Sequence, residues 1–195
     1  MFYLEDLIKD RRDAAAWKSG VVPFDIKKKK RVHILGLGDV GGTLLTGLKL
    51  LGGDIVSEIG IYGSGSTAQR YEYEMNQTAY PWDYDRLPEV EIIGLEKLFD
   101  CDVFVFCASK SVPAVGSDIA DVRMAQFEAN RDIVKEYAVM ARNRNFRGLF
   151  AVVSDPVDPL CRAAWLESNR SEAGVVDNKG LKPAQIQGYG LGVMN

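Results

Sequence analysis

The chain has a single histidine, His33, and three cysteines, an odd number with no C-x-x-C pair, in 195 residues. A single histidine at this position, within an apolar run that reads as the first strand, cannot assemble a zinc site, a Ser-His-Asp triad or a Cys-His pair, and no metal site is expected. So few thiols fit a reducing, cytoplasmic compartment better than a disulfide framework; Cys101 and Cys107 read as buried small hydrophobes. No apolar run approaches the ~20 residues that cross a bilayer, and the opening MFYLEDLIKDRRD is too charged for a signal peptide. Positive charge is not in excess either: the net charge is −3 and the pI about 5.3, so neither nucleic acid nor an anionic membrane is expected as a partner. Internal repeats and low-complexity tracts are missing.

What is present is concentrated between Lys30 and Gly42, KRVHILGLGDVGG, where Gly36, Gly38 and Gly41 stand in G-x-G-x-x-G spacing. The run Val32 to Leu35 has the length and branching of a buried strand, and Gly42 to Leu51 carries apolar residues at helical spacing. Strand, glycine turn and helix therefore follow in the order a dinucleotide fingerprint requires. Gly36 would make the tight turn, Gly38 would admit a pyrophosphate, and Gly41 would let helix and strand pack closely. The N–H groups over Gly38, Asp39 and Val40 would then face the phosphates at the positive end of the helix. His33, inside the strand, reads as a packing residue.

The fingerprint also demands an acid ~20 residues further on to hold the adenosine ribose. Ile55 to Tyr62 reads as the second strand, and Gly63 and Ser64 stand at its end instead. With no carboxylate to repel a 2′-phosphate, a loop of Ser64, Ser66 and Thr67 with Arg70 nearby could hold one, so the expected cofactor is NAD or NADP.

Along the rest of the chain, residues 1–20 predict an amphipathic helix and Lys27 to Arg31 a solvated basic approach to the first strand. Residues 71–88 read as a short helix and a loop. Strands are expected at 89–93, 102–107 and 148–153, helices at 122–144 and 159–168, and a sixth strand around 185–189. Strands alternating with helices imply an α/β, doubly wound parallel sheet of about six strands behind an N-terminal helical extension. The expected division is 1–30 for that extension and its linker, 31–168 for a Rossmann-type dinucleotide-binding domain, and 169–195 for a tail leading into a further domain.

With DVFVFCAS, R-x6-N and SDPVD placed, the chain resembles the nucleotide-binding half of the lactate and malate dehydrogenase family over roughly residues 31–165. Cys107-Ala108-Ser109 stand where the family has T-A-G, Arg123 and Asn130 where it has a loop arginine and a helical asparagine, and Ser154-Asp155-Pro156-Val157-Asp158 where it has T-N-P-V-D. The resemblance implies hydride transfer between NAD or NADP and a small 2-hydroxy or 2-oxo acid. It implies that Arg123 closes over the substrate and polarises it with Asp155 as the other catalytic position, that Ala108 and Ser109 line the nicotinamide side with Asn130 near it, and that Cys107 and Ser154 also bind the cofactor. A homo-oligomeric parent is also implied.

Three residues depart from the pattern. Gly63 replaces the ribose acid and Ser109 a glycine, while Asp155 stands where an asparagine donates to the substrate carbonyl; an ionised carboxylate only accepts. The loop between Ser109 and Arg123 is long and lacks the second arginine of malate enzymes, leaving Lys110 as the nearby point charge. The family's proton-exchanging histidine comes from the region that starts around this tail and beyond, so the chain alone is expected to be inactive. The alternative is a non-catalytic dinucleotide-binding or interaction module; a NAD-using glycosidase would need metal-ligating Cys and His residues that the sequence does not offer.

Overall fold

The computed structural model describes residues 28–84, 86–110 and 121–190. The expected helix over 1–20 and most of the 109–123 loop lie outside them. Six parallel strands form one sheet: β1 (Lys30–Leu35), β2 (Val56–Tyr62), β3 (Glu89–Ile92), β4 (Val103–Phe106), β5 (Leu149–Val152) and β6 (Ile186–Gly188). Their spatial order is β3-β2-β1-β4-β5-β6, the doubly wound order whose direction reverses between β1 and β4. Four helices join them among the described residues: α1 (Asp39–Leu51), α2 (Gly65–Gln77), α3 (Val122–Asn143) and α4 (Val157–Ser168).

Alternation along the strands sends side chains into two layers. Val32 and Ile34 of β1, Ile59 and Ile61 of β2 and Val105 of β4 are buried under α1 and α2. Leu35, Phe104, Phe106, Phe150 and Val152 face the opposite layer with Val134, Ala138 and Ala141 of α3 and Leu160 and Ala164 of α4. Phe104 is the centre of that layer, with ring centroids 4.7 Å from Phe99 and 4.8 Å from Phe150. Burying such rings removes ~150–250 Å² each from water, the largest single contribution a side chain makes here. Glu167, buried on α4, ties that helix to Arg131 and Lys135 of α3 at 3.8 and 3.6 Å.

The structure departs from the sequence reading in two places. First, α2 begins at Gly65, so Ser66, Thr67 and Arg70 belong to a helix and not to a loop. Its packing face is Ala68, Tyr71 and Met75, a three-and-four spacing that starts only after the glycine-serine run. Second, strands and helices do not alternate throughout, because β3 and β4 are joined by a single 3-10 turn, Leu95–Lys97. The sixth strand expected around 185–189 is present, and residues 169–188 complete the sheet. Asn169 donates to Leu181 O (2.8 Å) and accepts from Gly180 N (2.9 Å), Arg142 of α3 holds Asp177 through two bonds of 2.7 and 2.6 Å, and Gln185 donates to Gly148 O at 3.0 Å. These contacts bring β6 beside β5.

The short β3–β4 link leaves one sheet face thinly covered, over a cavity of about 200 Å³ lined by Arg31, His33, Glu58, Gly60, Glu91 and Lys97 among others. His33 closes its floor. The imidazole is 4% exposed, Nδ1 donates to Leu98 O at 3.0 Å, and the ring lies where a Cβ on Gly60 would stand. As expected from the sequence, His33 is a packing residue; it also pins the turn that replaces a helix. Burial lowers its pKa below the ordinary 6.5. The unfolded chain therefore binds more protons than the folded one once pH falls below 6.5. Stability should fall by up to ~1.4 kcal/mol per pH unit from there until the folded pKa is reached. Denaturant titrations at pH 7.5, 6.5 and 5.5 check this, and His33→Gln, which removes the only imidazole, should flatten the slope.

Candidate functional site

The carboxyl ends of β1 and β4 open at the reversal point of the sheet, where doubly wound folds take ligands. There β1 ends at Leu35, and Gly36 turns the chain with φ of +92°, a conformation that a side chain resists. A Cβ on Gly36 would also stand 2.7 Å from Ala108 N at the end of β4. At Gly41 a Cβ would run into the carbonyl oxygen of Gly36, so the first turn of α1 and the turn before it touch backbone to backbone. Gly38 differs: a Cβ there would meet nothing within 4 Å. The three glycines thus divide as the fingerprint requires, two for packing and one for open space.

Gly38 is the N-cap of α1, with no side chain capping the helix, and Gly38, Asp39 and Val40 are all exposed. The first amides of α1 are left to an outside acceptor, at the end of the helix where the macrodipole favours an anion. Asp39 stands in that first turn and complements the dipole in the free protein. Below the turn, Cys107 packs its Cβ against the Gly41 position, and burial pushes its thiol up to about 12. Protonated at neutral pH, Cys107 supports the glycine turn and is not a nucleophile.

At the tip of β2, Gly63 and Ser64 are exposed, and Ser64 is the N-cap of α2 with its hydroxyl unused in capping. Leu37, buried, fills the space a Gly63 side chain would enter, its Cδ1 3.1 Å from that Cβ position. Arg70 lies further along α2, 3.8 Å from Glu74 and 5.0 Å from the Tyr71 ring centroid. Its guanidinium is therefore already engaged on the helix surface.

The tips of β4 and β5 are fastened to each other. Ser154, buried, donates from Oγ to Ala108 O at 2.6 Å. Asn130 of α3, 1% exposed, accepts from Lys110 N at 2.8 Å, donates to Asp155 O at 2.9 Å, and touches Ser109 Oγ at 3.3 Å. Its amide is consumed by this bridge, so Asn130 positions the two tips and offers a ligand nothing directly. Sequence reasoning placed Asn130 near the site without finding this role; the only signal was a helical asparagine spaced from Arg123. Asp155 is exposed, follows the pinned Ser154, and precedes Pro156 through a cis peptide bond.

Arg123 is in the first turn of α3, not in a loop, behind the N-cap Asp121, whose carboxylate accepts from Met124 N at 3.0 Å. It precedes Asn130 by two helical turns on the same face, a rise of ~10 Å. It is exposed and has no ion-pair partner among the described residues. Among the described residues no group of three or more His, Cys, Asp or Glu side chains could hold a metal, and no helix is long and apolar enough to cross a membrane.

The glycine geometry separates ligand space from packing. Gly38→Ala should fold with a stability loss within ~1 kcal/mol yet weaken anion binding at the helix end about tenfold. Gly41→Ala should lose ~2 kcal/mol or more through overpacking. Thermal melts and nucleotide titration of the two variants side by side check the contrast.

No protein-family model matches the chain, and no curated protein does. Solved structures do. A malate dehydrogenase from Picrophilus torridus superimposes with a TM-score of 0.61 at 20% identity, over 84% of this chain and 46% of its own. A minor L-lactate dehydrogenase from Enterococcus mundtii gives 0.58 at 21%, over 75% and 44%. The lactate dehydrogenase of Eimeria maxima, solved with NADH and oxamate, gives 0.56 at 16%, over 86% and 45%. The chain thus spans somewhat less than half the length of these structures and has the six-stranded parallel fold that it shares with solved lactate and malate dehydrogenases.

Proposed function

We propose that the chain is the NAD- or NADP-binding part of an oxidoreductase similar to lactate and malate dehydrogenases, acting on a small 2-hydroxy or 2-oxo acid. The observation that carries this reading is the uncapped, exposed end of α1 at Gly38, set at the reversal point of a sheet shared with those enzymes. The amides over Gly38, Asp39 and Val40 take the pyrophosphate. Gly63 and Ser64 face the adenosine ribose, and Ala108, Ser109 and Ser154 frame the other nucleotide. When bound, the nicotinamide ring supplies or receives the hydride.

Arg123 is the group of this chain suited to the substrate. Its planar, permanently charged fork matches a carboxylate or a polarised carbonyl, and excluding water around it would strengthen the attraction. A proton donor is a separate requirement, and His33, pinned to Leu98 on the floor of the sheet, does not meet it. Turnover therefore requires groups supplied beyond this cradle. Three free thiols are in keeping with a cytoplasmic setting.

Without a carboxylate at position 63, little opposes a 2′-phosphate, and Ser64 and Ser66 offer hydroxyls near it. Calorimetric titration with NADH and NADPH should show micromolar binding of both, within about tenfold of each other. Gly63→Asp, at the cost of moving the flexible end of Leu37, should shift the ratio toward NADH by about tenfold or more through the restored charge. Failure of both cofactors to bind below millimolar concentration would contradict the reading.

A further inference from the structure

The thinly covered face of β1, β2 and β3 carries a row of residues that the nucleotide site does not use. His33 pairs with Gly60 and Gly60 with Glu91 across the three parallel strands, so the middle of the row has no side chain. The imidazole occupies that notch, its Cδ2 2.6 Å from where a Gly60 Cβ would stand. Val32 and Ile34, on either side of His33, are buried under α1 and α2, so the row lies on the opposite face of the sheet. Lys97 and Asp100, from the segment that links β3 to β4, also line the cavity there.

One polar atom in this cavity has no partner. Nδ1 of His33 lies 3.0 Å from the carbonyl oxygen of Leu98, and because a carbonyl only accepts, Nδ1 carries the proton. Nε2 of the neutral ring is then an acceptor. It makes no hydrogen bond among the described residues, although His33 is 4% exposed, and no side-chain nitrogen or oxygen sealed from solvent among them lacks a partner. Nε2 is therefore open to the cavity, where only a donor satisfies it.

The surrounding charges call for the same kind of ligand. Glu58, Glu91 and Asp100 set against Arg31 and Lys97 leave one negative charge in excess, and Arg31 is already committed to Glu58 at 3.6 Å. The remaining carboxylates, Glu91 and Asp100, only accept. The cavity of about 200 Å³ has room for about six water molecules at ~30 Å³ each, which admits a small organic molecule and not a nucleotide. A metal ion is not matched, since no three His, Cys, Asp or Glu side chains among the described residues could hold one.

We propose that this cavity binds the ammonium group of a small organic amine, which donates to His33 Nε2 and is balanced by Glu91 and Asp100. The proposal stands independently of the dinucleotide reading, whose site is at the carboxyl ends of the strands.

Butylammonium, butanol and butyrate, matched in length, test it on the full chain at pH 7.5. With nitrogen-15-labelled histidine the chain shows a single imidazole, so Nε2 is read directly. Butylammonium should move the Nε2 resonance saturably and that of Nδ1 much less, butanol should act more weakly, and butyrate should have no effect. Glu91 and Lys97 are exposed, so their variants should fold, which thermal melts check. Glu91→Gln should weaken butylammonium binding about threefold and Lys97→Gln should tighten it about threefold, the scale of exposed charge pairs. A silent Nε2, an equal response to all three ligands, or indifference to both substitutions would overturn the amine site. Titration with NADH reads the glycine turn separately, so either reading can fail without the other.

Discussion

The backbone of Gly41 lies against the carbonyl of Gly36, and that contact sets the angle at which α1 leaves the sheet. A side chain at either position would push the helix off β1 and away from the carboxyl end of β4, where Ala108 N already crowds the Gly36 site. The first amides of α1, which no side chain caps, belong to the helix that follows β1, the strand at which the order of the sheet reverses. N–H donors and the positive helix end together favour an anion.

The second half of the crevice is built by a different device. No glycine turn is needed at β4 and β5; their tips are bound to each other by Ser154 and to α3 by Asn130. An asparagine suits this task because its amide can donate and accept at once, and at 1% exposure an apolar replacement would leave the Lys110 N–H and the Asp155 carbonyl without partners. The result ties the tips of β4 and β5 to α3, with Arg123 and Asp155 exposed and without ion-pair partners among the described residues.

The glycine joint was legible in the sequence because its meaning is local: a strand, a glycine turn and a helix follow one another within a short stretch, in the order the fingerprint requires. The bridge made by Asn130 was not, since it depends on tips separated by 20 and 25 residues from it along the chain coming together. The Arg142–Asp177 clamp that adds residues 169–188 to the sheet spans 35 residues and carries no local signature either. The run Gly63 to Ser66 reads as a loop by composition, yet the packing of Ala68, Tyr71 and Met75 draws Gly65 into a helix. The 3-10 turn between β3 and β4 went unseen because the hydrogen bond from His33 that holds Leu98 spans 65 residues. In each case local preference yielded to a long-range contact.

The central claim is that a dinucleotide's phosphates rest on the opening amides of α1. Amide-resolved NMR of the chain titrated with NADH tests it most directly. The account predicts that the largest and earliest shifts fall on the N–H groups of Gly38, Asp39 and Val40, followed by those at the tips of β4 and β5. Shifts centred instead on the cavity beside His33, Glu58 and Glu91, with the glycine turn silent, would contradict it.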